Sequence, residues 1–114
     1  MRAKGEQKEQ RAARYLQQQG LTLIESNFLC KMGEIDLIMQ EGKTLVFVEV
    51  RYRQSNHYGS ALESIDRNKQ RKLHKTATYY LQQHNILNKV DCRFDAVCFE
   101  DDTIFWYDNI LLLE

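Results

Sequence analysis

The apolar positions change period along the chain, and each change marks an element. Over residues 3–19 the apolar residues Ala12, Ala13 and Leu16 recur at helical spacing. Gly20 stands where a left-handed residue ends a helix, so a first helix is expected there. Residues 21–27 read as a short strand, with Leu21 and Leu23 alternating against Thr22 and Ile24. Residues 34–40 and 44–53 are rich in Ile, Leu, Val and Phe and read as two strands, turned at Glu41-Gly42-Lys43. A second helix begins between Ser60 and Asp66 and runs to about His84, with Ile65, Leu73, Ala77, Tyr80 and Leu81 as its stripe. Strands over 91–99 and 103–107 follow, turned at Glu100-Asp101-Asp102. The tail, 110–113, is too apolar to stand in water and is expected to pack on the domain or on a second copy.

The stretch 44–50 is apolar on both faces, and a strand of that kind is covered on both sides. The expected class is therefore α/β or α+β. It is a single domain over 1–114, ordered helix-β-β-β-helix-β-β, with a mixed central sheet flanked by helices.

Composition narrows the class without changing it. A chain of 114 residues is one domain's length and encloses a core without staples. With 43% hydrophobic and 28% charged residues it is globular rather than disordered. No apolar run is long enough to cross a bilayer, and Met1-Arg2-Ala3-Lys4 leads into a charged helix instead of an apolar signal segment. A cytoplasmic protein with no membrane partner is the expectation. Cys30, Cys92 and Cys98 are odd in number and include no Cys-x-x-Cys, which argues against a disulfide framework or a zinc cage. They read as reduced thiols.

The net charge is zero, yet it is unevenly spread. Residues 1–75 carry 14 Lys and Arg against 9 Asp and Glu, and residues 76–114 carry 2 against 7. Such an asymmetry points weakly to a polyanion-facing surface. Charge alone is equally met by solvated decoration.

The chemistry starts at the hairpin. By strand alternation Glu34, Asp36 and Ile38 share one face, and Phe47, Glu49, Arg51 and Arg53 share one face of the next strand. A two- or four-residue loop brings Asp36 and Glu49 to the same face, opposite or diagonal; a three-residue loop separates them. Ile38, Leu45 and Phe47 mark that face as buried. Two carboxylates there repel each other and lose hydration unless a cation compensates. Mg²⁺ (or Mn²⁺) suits a site of one or two carboxylates completed by water and phosphate oxygens. The competing reading pairs Asp36 and Glu49 with Arg51, Arg53 or a lysine as buried ion pairs.

Each helix adds one charged residue to its apolar stripe. Glu9 precedes Ala12, Ala13 and Leu16 by three, four and seven residues, where an acid is a further metal ligand or reaches solvent at the stripe's edge. Lys69 lies four residues from both Ile65 and Leu73; it delivers an ammonium to the acids or snorkels along the helix edge. Around it Arg67, Arg71, Lys72, His74 and Lys75 form a basic run without an acid, which lines a phosphate backbone or a solvated face. Arg93 and Asp95 share a strand face and read as a structural pair.

These residues fall into a recognisable pattern. Lys4-Gly5-x-x-x-Glu9-x-x-Ala12-Ala13-x-Tyr15-Leu16-x-x-x-Gly20, Asn27, Gly33-Glu34-Ile35-Asp36-Leu37-Ile38, Val46-Phe47-Val48-Glu49-Val50, Tyr58-Gly59, Lys69 and Arg93-Phe94-Asp95-Ala96-Val97 resemble the YraN family of predicted bacterial endonucleases over nearly the whole chain. The resemblance implies a restriction-endonuclease-like PD-(D/E)xK fold, close to archaeal Holliday-junction resolvases. It implies Mg²⁺ on Glu9, Asp36 and Glu49, and DNA, including branched DNA, as substrate. It also implies a homodimer, since a four-way junction is cut twice. Arg51 departs from the motif, which has Lys there, and the two cations are not interchangeable. Arg51 is then a clamp on the phosphate, Lys69 replaces the lysine in space, or activity is lost. Arg53, Arg67, Arg71, Lys72 and Lys75 are the expected DNA contacts. The leading expectation is a metal-dependent DNA endonuclease. The alternative is an inactive nuclease-fold module that binds nucleic acid or protein. A third is an assembly protein that dimerises through its tail.

Overall fold

A computed structural model of the chain describes residues 3–54 and 60–110, the first four of them by backbone alone. The Tyr58-Gly59 motif and the tail beyond Ile110 lie outside the described residues.

Helix α1 (Ala3–Gln18) ends where expected. Gly20 takes a φ of +106°, and Leu21 N–H and Gly20 N–H donate back to the carbonyls of Leu16 and Gln17. This left-handed ending satisfies carbonyls the helix would otherwise leave bare. Strands β1 (Thr22–Cys30), β2 (Gly33–Glu41) and β3 (Thr44–Arg53) follow. A short 3-10 turn (Leu62–Ser64) leads to α2 (Arg67–Gln83), whose cap Asp66 accepts a hydrogen bond from Lys69 N–H at 2.9 Å. Strands β4 (Asp91–Glu100) and β5 (Thr103–Tyr107) complete the order.

The five strands form one sheet in sequential order, β1-β2-β3-β4-β5. Only the β3–β4 pair is parallel; the other three are antiparallel. A parallel step needs a crossover, and α2 supplies it. The sheet is therefore mixed, and the fold is α+β as expected.

Each face carries one helix. Ala12, Ala13 and Leu16 of α1 pack with Leu37, Met39, Val46, Val48, Val97 and Phe99. Leu73, Ala77, Tyr80 and Leu81 of α2 pack with Phe28, Ile35, Ile38, Phe47, Phe94 and Cys98 on the other face. All five residues of the expected second stripe are buried. Val46, Phe47 and Val48 are at most 1% exposed, as a strand covered on both sides requires. No described helix is long and apolar enough to cross a membrane.

Strand β1 runs three residues further than the expected 21–27. Asn27 sits inside it with a φ of +55°, and the strand resumes after it. The alternation was read only as far as Asn27, and a single left-handed residue there kinks the strand without ending it. The tail expectation is met at Ile110, which packs on the α2-side core and donates N–H to the Phe94 carbonyl at 2.7 Å.

Candidate metal centre

The β2–β3 turn has two residues, Gly42 and Lys43, between the paired Glu41 and Thr44. Gly42 has a φ of +60°, which a glycine adopts without strain. That loop length sets the parity: Leu37 faces Val48 and Ile38 faces Phe47. Asp36 therefore comes opposite Glu49.

The ladder stops at Leu37–Val48, one pair short of the two acids. Val50 N–H instead donates to Oδ2 of Asp36 at 2.8 Å. On its other side β2 pairs with β1 through Ser26–Leu37 and Phe28–Ile35, leaving out the kinked Asn27 and Asp36 between them. Side chains exchange faces there: Ile35 and Ile38 both lie on the α2 side, with Leu37 on the α1 side. The expected shared face of Glu34, Asp36 and Ile38 is thus corrected. The left-handed turn at Asn27 and the opened ladder interrupt strict alternation, and Asp36 sits where the strands part.

Glu49 is 4% exposed. Arg51 Nη2 lies 3.1 Å and Lys69 Nζ 3.3 Å from the same oxygen, Oε2. Oε1 is buried and has no hydrogen-bond partner among the described residues, and neither has Nε of Arg51. Burial raises the Glu49 pKa, against the lowering pull of the Lys69 and Arg51 cations and of a side-chain hydrogen bond with Asp36. Asp36 is pushed up to about 7, first by burial and then by the charge of Glu49. The Val50 N–H and a hydrogen bond with Glu9 work in the lowering direction.

Glu9 reaches this place from α1. Asn27 Nδ2 donates to Glu9 Oε1 at 2.8 Å and to Glu34 Oε2 at 3.1 Å. The sequence marked Glu9, Asp36, Glu49, Arg51 and Lys69, and the fold brings all five together. It did not assign Asn27 or Glu34 a role in the site, although both stand in the motifs that carry the family resemblance and Glu34 was placed on the face of Asp36. Arg67, Arg71, Lys72 and Lys75 are exposed along α2, and Arg53 is half-buried at the end of β3. Arg93 donates through Nε and Nη2 to Asp95 at 3.0 and 3.2 Å, the structural pair expected of them.

Glu49 Oε1 tests whether a cation fits. A buried carboxylate oxygen without a donor, beside a second carboxylate, needs a proton or a metal ion. Hard oxygen donors suit Mg²⁺ or Mn²⁺. Among the described residues no three His, Cys, Asp or Glu side chains group so as to hold an ion. The donor set is therefore an open pair, Asp36 and Glu49, with Glu9 beside it and engaged by Asn27. Mg²⁺ favours such incomplete protein ligation and completes its octahedron with water and phosphate oxygens.

The model of the uncharacterised protein family UPF0102 matches residues 8–99. A UPF0102 protein of Vibrio parahaemolyticus is 47% identical over 109 residues, covering 94% of this chain and 90% of that one. A UPF0102 protein of a Janthinobacterium strain is 49% identical over 107 residues, covering 94% and 85%. One of Coxiella burnetii is 48% identical over 107 residues, covering 93% and 89%.

Proposed function

This chain belongs to the UPF0102 family, and we propose that it is a metal-dependent DNA endonuclease acting on branched or otherwise structured DNA. One observation carries the reading. The Oε1 oxygen of Glu49 is buried without a partner, beside an Asp36 whose own ionisation burial opposes. The likeness of its motifs to the YraN family of predicted endonucleases supports the same reading.

Asp36 and Glu49 would hold a Mg²⁺ or Mn²⁺ ion, with Glu9 hydrogen-bonded to Asp36. Such an ion would hold the phosphate, lower the pKa of a bound water and stabilise the leaving oxygen. Lys69 and Arg51 fix Glu49 through Oε2, which leaves Oε1 for the cation. Their positive charge also favours the phosphate that gathers charge during attack. Lys69 thereby stands in space for the lysine the motif places at position 51. Arg51 holds a phosphate as a fixed cation and does not act as a base. The exposed Arg67, Arg71, Lys72 and Lys75 contact the backbone of the substrate. A homodimer supplies the two cuts that a four-way junction needs.

A binding module without catalysis is the second reading. It is favoured by the two cations on Glu49 Oε2, which partly neutralise that acid without any metal. Cleavage decides between the readings. A labelled four-way junction and matched linear DNA are incubated in Mg²⁺ and in Mn²⁺ with the parent protein, Asp36→Asn and Glu49→Gln. Cutting by the parent and by neither variant supports the nuclease. Equal cutting by all three, or none, hands the lead to the binding module.

A further inference from the structure

Asn27 is the one non-glycine residue with positive φ inside a described strand; the others, Asn85, Asn88, Asp101 and Asn109, lie outside helices and strands. A regular strand would point Asn27 to the side of Glu25, two residues earlier. Glu25 pairs with Ile38, and its charge acts on Tyr80 of α2. The left-handed turn sends the Asn27 side chain the other way, to Glu9 of α1. Asparagine tolerates this conformation better than most residues with a Cβ.

What the turn achieves is a bridge. The Nδ2 amide donates to Glu9 Oε1 and to Glu34 Oε2, joining the first helix to the second strand. Glu9 also hydrogen-bonds with Asp36, and the charge of Glu34 acts on it. A Lys or Arg at position 27 would hold them too, but it would add a positive charge next to the place where a cation is to bind. The neutral amide holds two anions and leaves their charge intact.

From this geometry we infer that Asn27 is a positioning residue of the metal centre, fixing Glu9 and Glu34 as an outer pair of carboxylates around the cation on Asp36 and Glu49. The inference rests on the metal-binding reading above. Outer carboxylates act on a bound cation through their field and by ordering the waters that complete its coordination. Asn27 touches neither the cation nor the substrate in this role.

The test reads metal affinity rather than cleavage. Mn²⁺ is titrated into the parent, Asn27→Gly, Glu9→Gln and the double variant, with free ion followed by electron paramagnetic resonance. Thermal melts of each metal-free protein run alongside. Glycine accepts the left-handed backbone and removes only the amide. The expected result is a Mn²⁺ dissociation constant weakened about 10- to 100-fold in Asn27→Gly, as loss of an outer-shell partner typically gives. The metal-free melt should move little. The double variant should weaken binding by less than the product of the two single effects, because Asn27 acts in part through Glu9. Parent-like affinity in Asn27→Gly overturns the inference and leaves the metal reading standing. A parent that binds no Mn²⁺ overturns both. If Asn27→Gly does not fold, Glu9→Gln and Glu34→Gln carry the decision: both must weaken Mn²⁺ binding, and a parent-like constant in either overturns it.

Discussion

The ammonium of Lys69 on α2 lies 3.3 Å from Oε2 of Glu49 on β3, and the guanidinium of Arg51 shares that oxygen at 3.1 Å. Two cations from different elements thus meet one carboxylate oxygen. The motif this chain resembles places a single lysine two residues after the glutamate. Here that position is an arginine, and a lysine arrives from the helix instead.

If Lys69 does the work of the missing lysine, Lys69→Gln should lower the cleavage rate about 100- to 1000-fold, the usual loss when one donor to a developing negative charge is removed. Arg51→Lys should keep most of the activity. Single-turnover cleavage of a labelled junction at saturating Mg²⁺ measures both. A variant pair in which Arg51→Lys is dead and Lys69→Gln is parent-like would reverse the two roles.

The exposed basic residues of α2 predict a salt dependence. Each phosphate contact contributes about 0.9 to the slope of log affinity against log salt on duplex DNA. A variant with Arg71, Lys72 and Lys75 all changed to Ala should lose about 2 to 3 from that slope if all three touch phosphates. These side chains are exposed, so the fold should survive the change. DNA binding by Asp36→Asn, with and without the triple change, over a range of NaCl concentrations reads the slope. An unchanged slope assigns the basic run to solvent.

Asp95 predicts the opposite kind of effect, on stability and away from the metal. It is fully buried and accepts from Arg93, from Trp106 Nε1 at 2.9 Å and from Asn109 N–H at 3.0 Å. Arg93 in turn meets Glu41 at 2.7 Å. The knot ties β4 to β2, to β5 and to the chain after it. Asp95→Ala leaves Arg93 only Glu41 and takes the acceptor from Trp106 Nε1–H and Asn109 N–H, and should cost about 3–5 kcal/mol. Urea melts give the value, and Mn²⁺ affinity of the folded fraction should be unchanged.

Much of this architecture was legible because local patterns and the fold agree. Period alone gave the helices, the strands and their order; the turn was read as Glu41-Gly42-Lys43 with its parity open, and only the paired Glu41 and Thr44 show the two-residue turn that sets Asp36 opposite Glu49. Glu9 and Lys69 could be singled out because a charge on an apolar helical stripe breaks its own pattern. What was not legible depends on single backbone angles and on neighbours distant in sequence. Nothing local announces that Asn27 turns left-handed within a strand, so the exchange of faces at Asp36 was missed. The roles of Trp106 and Asn109 at Asp95 required the β4–β5 register, which no spacing within β4 encodes. The choice between Arg51 and Lys69 was undecidable in sequence, because both converge on one oxygen only after α2 docks.

The raised pKa of Asp36 makes the metal-free protein's stability depend on pH in a definite direction. An acid with a higher pKa in the folded chain holds its proton more tightly when folded. For Asp36 the ordinary value of 3.8 rises to about 7, with burial the largest cause and Glu49 the next. Its contribution is therefore fully present below about pH 3.8, shrinks as pH climbs, and is gone above about 7. Other groups titrate over the same interval, so the comparison is with Asp36→Asn, which cannot ionise there. Thermal melts across the interval should show the parent losing stability relative to Asp36→Asn as pH rises. Mg²⁺ should reverse that loss at about pH 8, where the carboxylate is ionised, and have little effect at about pH 5, where the proton competes with the ion. Parallel melting curves for the two proteins at every pH would mean that Asp36 ionises as easily folded as unfolded, and the electrostatic case for a cation between Asp36 and Glu49 would fall with it.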